Sequence, residues 1–223
     1  SDDNIEEVGF SSIGEGFKNI ITERNGAIFV TKVDSGIYFS IDHYHFHKLD
    51  MSNTDIAEQN GNITSPVQIK FDKNNNLILA YEDSIFIAYN IEKYMSSVNS
   101  DNDAQVIEVS NSDIKKIVGN IYETSSPTGK IEVDDLNSAW IPFRHGLLKL
   151  TNNDVILYGY DDGIRGGEVL SVSIKSPSHR FICCENSVYE MIGDRIKKID
   201  LRNSEIATLS IDNDRSQESY SPE

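Results

Sequence analysis

Cysteine is scarce in this chain of 223 residues, since its only two cysteines are the neighbours Cys183 and Cys184. Adjacent residues of a strand point to opposite faces, so these two thiols are poorly placed to bond to each other. The lack of a disulfide framework is typical of a reducing compartment. The opening SDDNIEEVGF also lacks the apolar core of a signal sequence, which argues against secretion and membrane insertion. We therefore predict an intracellular protein of the cytoplasm or nucleus.

Basic residues are also few. The chain has 20 Lys and Arg against 36 Asp and Glu, which gives a formal net charge of −16, and no run of Lys or Arg is longer than two. Nucleic-acid binding takes most of its affinity from neutralising phosphates with such cations. The composition therefore argues against direct nucleic-acid binding. It favours other proteins as partners, in particular proteins with basic surfaces.

Catalytic and cofactor-binding motifs are missing from the sequence. It contains no Gly-x-Ser-x-Gly and no Gly-Lys-Ser/Thr. The acidic pairs Asp134-Asp135 and Asp161-Asp162 are adjacent in sequence. Adjacent strand positions diverge, so neither pair is placed to act as a general acid and base. We predict that the protein is not an enzyme and carries no cofactor.

Helical periodicity is rare, and short alternating or apolar runs take its place. Segments such as GAIFVTKV, GIYFSID, VQIKFD, NLILAYE, DVILYGYD and RIKKIDL are rich in β-branched and aromatic residues. Asp, Asn, Ser and Gly separate them, and these spacers have the composition of tight turns. The sequence therefore predicts an all-β chain built from hairpins.

The turns between strong strands recur at intervals that indicate a larger repeat. They fall near residues 34–36, 82–84, 125–129, 162–167 and 193–194. Their spacing is roughly 30 to 48 residues, within or a little below the roughly 40–50 residues of propeller blades. This pattern predicts a β-propeller with about five visible blades, either a closed five-bladed ring or part of a seven-bladed one.

Two segments resemble blades of the WD40 family. FDKNNNLILAYEDSIFIAYNIE, at 71–92, is similar to the second and third strands of such a blade, and KKIDLRN, at 197–203, is similar to its closing strand. The Trp-Asp and Gly-His pairs that define the family are absent, and Trp140 is followed by Ile141. The resemblance is therefore one of pattern, and it implies the propeller fold.

Within that class the chain resembles the N-terminal propeller of cytoplasmic-side nucleoporins. An acidic lead at 1–16 contains Val8-Gly9-Phe10, which is similar to an aromatic-Gly-Phe element of that family. Divergent blades over 17–211 and a polar tail over 212–223 follow. The resemblance implies a nuclear-pore component at the nuclear envelope that docks an mRNA-export DEAD-box helicase. No residue of a helicase-binding loop can be carried over.

The stretch IDHYHFHKLD places His43, His45 and His47 at every second position, which would put them on one face of a strand. Two of them, with an acidic neighbour such as Asp42, could bind a metal, whereas all three lie too far apart to share one ion. The alternative is an outer strand that buries the two aromatic residues between them and turns the histidines to solvent. We favour this alternative, and His43 and His45 remain weak metal candidates.

The segment AWIPFRHGLLKL contains the only tryptophan of the chain. Trp and Arg are the residue types most enriched at binding hot spots. If the indole is exposed, Trp140, Phe143 and Arg144 form the predicted partner-binding patch; the alternative is that Trp140 belongs to a core. In the tail, Ser221 precedes a proline and is a candidate phosphorylation site for a proline-directed kinase.

These observations favour a non-catalytic protein-docking scaffold within an intracellular multiprotein assembly. The acidic segments 1–9 and 96–105 are either solvated loops, which is the simpler interpretation, or contact arms for a basic partner. The alternative function is that of an enzyme, or of a propeller that binds a small ligand or metal in its central channel. Its candidate site is the loop with Gly163, Gly166 and Gly167, together with nearby carboxylates at the channel mouth. A plain hairpin connection is the simpler interpretation of this loop.

Overall fold

The computed structural model describes residues 17–22, 26–32, 35–60, 65–82, 84–98, 104–119, 126–152 and 154–200. Within these ranges the chain is all-β, as predicted, with only the short helices α1 (Asp55–Asn60) and α2 (Ile91–Met95) and a 3-10 helix at Asn111–Asp113. No helix in these ranges is long and apolar enough to span a membrane. Four sequence predictions concern residues that lie wholly or partly outside the described ones: the acidic lead at 1–16, the acidic segment 96–105 (at 99–103), the tail at 212–223, and Ser221.

Seventeen described strands form four sheets. In chain order the strands are β1 (Phe17–Thr22), β2 (Ile28–Lys32), β3 (Gly36–Ser40), β4 (His47–Asp50), β5 (Gln68–Phe71), β6 (Leu77–Ala80), β7 (Ser84–Ala88), β8 (Val106–Glu108), β9 (Ile114–Gly119), β10 (Glu132–Val133), β11 (Ala139–Phe143), β12 (Gly146–Leu150), β13 (Val155–Tyr158), β14 (Val169–Ser176), β15 (His179–Cys184), β16 (Ser187–Ile192) and β17 (Arg195–Lys198). The sheets have the orders β1-β2-β3-β4-β8, β5-β6-β7-β9, β10-β11-β12-β13 and β14-β15-β16-β17. All neighbours are antiparallel except β4 and β8.

Successive sheets pack face to face, because their strands place alternate apolar residues on opposite sides. In β6, Leu77 joins the core between the first and second sheets, while Ile78 joins the core between the second and third. In β11, Ile141 packs with the second sheet and Trp140 with the fourth. The two middle sheets are therefore buried on both faces, which explains why their strands are continuous apolar runs in the sequence.

The first turns of the second and third sheets have the same structure, which marks an internal repeat. Asp72 and Asp134 begin the segments DKNNNLIL and DDLNSAWI, and each carboxylate accepts hydrogen bonds from the backbone N–H groups two and four residues further on, at 2.8–3.0 Å. Asn75 and Asn137 occupy the same position in the two turns, with φ of 62° and 63°. Asparagine tolerates this left-handed conformation better than most residues. The two turns touch, because the backbone N–H of Lys73 donates to the Asn137 side chain.

The four described sheets are one fewer than the five units that the turn spacing predicts. The turns near 34–36, 82–84 and 193–194 join strands of one sheet, but those near 125–129 and 162–167 connect one sheet to the next. Connections between sheets have the same Gly, Asp and Ser composition as hairpin turns, so turn spacing counts both kinds. The five-unit count was therefore an overcount of the described part of the chain.

The chain between β7 and β9 returns from the second sheet to the first, where β8 pairs with β4. We call residues 104–108 the β8 strap. Within it, the backbone N–H of Gln105 donates to His47 Nδ1 at 3.3 Å. After it, the Asp113 carboxylate accepts hydrogen bonds from the Tyr94 hydroxyl (2.6 Å) and Asn90 (2.8 Å), and these bonds lower the pKa of Asp113. The β8 strap thus ties the first two sheets together.

Candidate protein-docking site

The structure does not bring the predicted patch of Trp140, Phe143 and Arg144 to one exposed surface. Trp140 is 0% exposed and Phe143 is 2% exposed, because β11 lies inside a sheet that is covered on both faces. Arg144 is exposed in the turn between β11 and β12. The alternative interpretation, in which Trp140 is a core residue, is the correct one.

Trp140 is the centre of a polar cluster between the third and fourth sheets. Its Nε1–H donates to Asp134 Oδ2 at 3.0 Å, and the guanidinium carbon of Arg180 lies 3.7 Å from the centre of its ring. Arg180 is itself buried, and this burial lowers the pKa of its guanidinium. Its Nε has no hydrogen-bond partner in the described structure. The stacked indole and guanidinium therefore clamp two sheets together and leave no surface for a partner.

The connection from β13 to β14, residues 159–168, is held in one conformation by hydrogen bonds. Asp162 Oδ2 accepts a hydrogen bond from the backbone N–H of Gly159 at 2.8 Å, and the backbone N–H of Ile164 donates to the Gly159 carbonyl at 3.1 Å. The Ile164 side chain is buried in the core with the fourth sheet. The backbone N–H of Arg165 donates to the Tyr189 hydroxyl at 2.9 Å. This loop is therefore a fixed frame for the side chains that it exposes.

Tyr160 and Arg165 lie side by side on this frame. The guanidinium carbon of Arg165 is 4.7 Å from the centre of the Tyr160 ring, and Tyr160 is 66% exposed. The turn between β11 and β12 lies beside them, with the carbonyl oxygen of His145 facing residue 159. Arg144 and His145, the two residues of that turn, are both exposed. We call Arg144, His145, Tyr160 and Arg165 the Tyr160 patch.

The Tyr160 patch has the residue types and the rigidity of a protein-binding surface. Tyrosine and arginine are enriched at binding hot spots. The hydrogen bonds of the loop fix the backbone that carries Tyr160 and Arg165, and the ring-to-guanidinium contact adds a weak preference for one arrangement of the two side chains. Arg144 Nε lies 3.9 Å from Glu168 Oε2, but Arg144 is exposed and Glu168 is half-buried, so the pair contributes little to stability. A partner can therefore replace that contact at small cost.

Two glycines of the loop serve its conformation. Gly163 has a φ of 105°, in the region that favours glycine. Gly166 is buried against the fourth sheet, where an added Cβ would lie 2.7 Å from the Cβ of Ser187 and 3.0 Å from the Cβ of Cys184. Gly166 thus permits a close approach within the protein, in a connection that joins two sheets and not the strands of one hairpin.

The three histidines do not share a strand face. The strand β4 begins at His47, and the residues before it form a turn in which Asp42 accepts hydrogen bonds from the N–H groups of Tyr44 and His45. Asp42 also pairs with His45 Nδ1 at 2.6 Å, while His43 has a φ of 69° and donates from Nε2 to a backbone carbonyl. Partial burial acts to raise the pKa of Asp42, but these hydrogen bonds outweigh it and the net shift is downward.

The interpretation that we favoured for this stretch is correct for one aromatic residue and wrong for the other. Phe46 is buried as expected, but Tyr44 is exposed and His47 is buried. The alternation fails because the turn closed by Asp42 replaces the first half of the predicted strand. In the part of the chain that the structure describes, no group of three or more His, Cys, Asp or Glu side chains is placed to hold a metal ion.

A polar cleft of about 350 Å³ lies between the first strands of the third and fourth sheets. Its lining includes Glu132 and Asp135 on one side and Lys175 on the other. Carboxylates opposite an ammonium group suit a small polar ligand that carries charges of both signs. The alternative function, small-ligand binding, would have this cleft as its site.

Sequence reasoning missed Tyr160 and Arg165, because it considers only the glycines and the carboxylates of the segment YDDGIRGG. The available signal was a large aromatic residue and an arginine inside a turn of small residues. Turn positions lie at the surface, so large side chains there are exposed more often than the same side chains in a strand.

Comparisons with known proteins support the fold and little more. Neither a family model nor a curated protein matches the sequence. One matching structure is named as the extracellular domain of a hybrid two-component system from B. thetaiotaomicron, with a TM-score of 0.57 and 11% identity over 84% of this chain and 23% of that chain. Another is PorZ, a surface component of the type-IX secretion system of Porphyromonas gingivalis, with a TM-score of 0.56 and 15% identity over 80% of this chain and 26% of that chain.

At these identities the likeness shows the fold alone, an all-β domain of repeated four-stranded sheets. The chain spans about a quarter of the length of each of these structures. The resemblance to nucleoporins gains no support from the comparisons.

Proposed function

We propose that the four sheets are consecutive blades of a β-propeller and that the chain acts as a non-catalytic protein-docking module of a larger assembly. Three observations support the propeller. Each sheet is filled by strands in chain order, apart from the added strand β8. Neighbouring sheets stack face to face, and the first strands β1 and β5, and β10 and β14, lie near each other as inner strands of a propeller do. The same turn opens the second and third sheets.

The observation that carries the docking function is the Tyr160 patch. An exposed aromatic ring stacked with an arginine, on a loop fixed by its own hydrogen bonds, is an arrangement that a folded monomer does not need for stability. It lies where two sheets are connected, and such connections carry binding residues in propellers and other β-rich scaffolds. The net charge of −16 adds a long-range preference for partners with basic surfaces.

The cleft between β10 and β14 favours a second candidate function, the binding of a small polar ligand. Its volume of about 350 Å³ is within the range of small-molecule sites. Thermal shift assays with zwitterionic amino acids, at concentrations up to the millimolar range, would test this function. A rise in the unfolding temperature that Lys175→Ala abolishes would favour it over docking.

The cellular location stays a prediction from the cysteine content and the N-terminal composition, and the matched structures, which are extracellular or surface proteins, point the other way. The nuclear-pore and helicase assignment likewise stays a prediction from sequence resemblance, because none of the matched structures bears on it.

Affinity purification of the tagged chain from its native cell, with mass spectrometry, tests the docking function. The variant is Tyr160→Ala/Arg165→Ala, and the control is Tyr44→Ala/Arg195→Ala, which removes an exposed tyrosine and an exposed arginine elsewhere. We expect a stoichiometric partner that the wild type and the control retain and that the patch variant binds at least about tenfold more weakly. Recovery of the bait alone, or equal retention by all three proteins, would contradict the proposal.

A further inference from the structure

The last strands of the four sheets differ in how they are protected from pairing with other chains. In the first sheet the edge strand is β8, which is only three residues long and includes Glu108. In the second sheet the edge strand β9 carries Lys115 and Lys116, and in the fourth sheet β17 carries Arg195, Lys197 and Lys198. Very short edge strands and charged side chains are devices by which natural sheets prevent edge-to-edge association. Three of the four edges therefore have such a device.

The edge of the third sheet has none. Its last strand, β13, has the sequence VILY, and no described strand pairs with its free edge. Val155 is 41% exposed and Ile156 is 39% exposed, and as neighbours in a strand they lie on opposite faces. Leu157 packs in the core with the second sheet and Tyr158 in the core with the fourth, so the strand is anchored. A fixed apolar edge without charges is open for pairing.

The charges around β13 indicate what kind of chain would pair with it. Asp154 precedes the strand, Asp161 and Asp162 follow it closely, and all three are exposed. Apolar residues along the edge and carboxylates at both of its ends match an extended segment with apolar residues at its centre and Lys or Arg on either side.

We propose that the free edge of β13 takes up an extended, basic-flanked segment of a partner protein as an added strand of the third sheet. This inference rests on the proposed docking function and specifies how docking occurs. Main-chain hydrogen bonds to the free edge would supply affinity, and the apolar side chains at Val155 and Ile156 would select the partner residues that face them.

Binding of designed peptides to the full chain, measured by fluorescence anisotropy, tests the proposal. The first peptide has alternating valine and threonine at its centre and lysines at both ends. The second has the same side chains but is N-methylated at every backbone nitrogen of its centre, so that neither of its edges can donate the strand hydrogen bonds. The third carries glutamates in place of the lysines.

The protein variants separate edge pairing from general attraction of charges. Val155→Lys/Ile156→Lys places two charges on the edge, and Leu136→Lys/Ile192→Lys makes the same charge change at two exposed apolar residues outside β13. We expect the first peptide to bind the wild type and the control variant with dissociation constants within about twofold of each other. The same peptide should bind the edge variant at least about tenfold more weakly, and the N-methylated peptide should bind the wild type at least about tenfold more weakly. The glutamate peptide should also bind more weakly.

Four results would overturn the proposal. Equal binding of the N-methylated peptide would exclude strand addition, and equal weakening by both double variants would mean non-specific attraction. A wild-type dimer that the edge variant alone converts to a monomer would make a second copy of this chain the occupant. Absence of peptide binding would contradict the edge proposal. If Tyr160→Ala/Arg165→Ala still loses its partner in affinity purification, the docking function stands without it.

Discussion

The replacement Asp134→Ala is expected to destabilise the protein more than Asp72→Ala, although both carboxylates close the same turn. Each replacement removes two hydrogen bonds from backbone N–H groups. Asp134 is buried and also accepts a hydrogen bond from the Trp140 indole. Asp72 is only partly buried, and its further hydrogen bonds come from the side chains of Asn76 (2.9 Å) and Asn137 (3.4 Å), which water can replace. Asp134→Ala therefore leaves a buried indole N–H without its partner.

The size of the difference follows from these contacts. Loss of a side chain that closes a turn by accepting backbone N–H groups costs about 1 kcal/mol, since water can replace it at an exposed turn. A buried donor left without a partner costs about 1–3 kcal/mol more. The free energy of unfolding should fall by about 1 kcal/mol in Asp72→Ala and by about 2–4 kcal/mol in Asp134→Ala. In a Trp140→Phe background the donor is absent, so the coupling energy between residues 134 and 140 should be about 1–3 kcal/mol.

Urea unfolding of the four proteins of this double-mutant cycle gives the coupling energy, with Asp72→Ala as the control for the same turn without a buried indole. Circular dichroism is the signal to follow, because Trp140 is the only tryptophan and its fluorescence is lost in Trp140→Phe. A coupling energy below about 0.5 kcal/mol is what independent sites give, and that value would refute the reasoning. Equal losses in the two aspartate variants would refute it as well.

Two further predictions concern a buried histidine and a buried glycine. Burial lowers the pKa of His47 from 6.5, so below that pH the unfolded state binds more protons than the native state, and stability should fall as the pH drops from about 7.5 to about 5.5. Urea midpoints should fall less in His47→Gln, and identical pH profiles would contradict this. Gly166→Ala, whose Cβ would lie 2.7 Å from that of Ser187, should cost about 1–3 kcal/mol of unfolding free energy. Gly159→Ala, with no contact under 3.4 Å, should cost less than about 1 kcal/mol in the same assay, and equal costs would show that the packing at residue 166 relaxes.

The strands could be predicted from sequence because their signal is local. The run NLILAY in β6 and the run DVILYGY in β13 are recognised from the β-branched and aromatic residues that they contain. The assignment of turns to sheets is not local, because it depends on which strands pair. That is why the connections near 125–129 and 162–167 were counted as hairpin turns.

Burial of Trp140 could not be predicted from the segment around it. Its exposure depends on the fourth sheet, whose Arg180 lies 40 positions further along the chain and covers the indole. The same limit applies to β13, since a free edge is defined by the absence of a pairing partner. Sequence supplies the apolar residues Val155 and Ile156, and only the pairing of strands shows that they lie at an edge.

The histidine turn shows a signal that was present in the sequence and not used. Asp42 precedes His43-Tyr44-His45, and an aspartate before polar residues favours a turn in which its carboxylate accepts the following backbone N–H groups. The period-two spacing of the histidines predicts a strand, but the turn closed by the Asp42 carboxylate competes with that strand and forms in its place. The strand therefore starts at His47, later than predicted.

The β8 strap has a consequence for the order in which the protein folds. In a simple array of repeats each unit can fold on its neighbour as soon as it has been synthesised. Here the first sheet gains its last strand only after β5, β6 and β7 have been made, because β8 follows them in the chain and pairs with β4. The first two sheets should therefore open and close as one cooperative unit in native-state hydrogen exchange. The third and fourth sheets should open independently of that unit. A shortened chain that retains its fold would have to keep the first two sheets together.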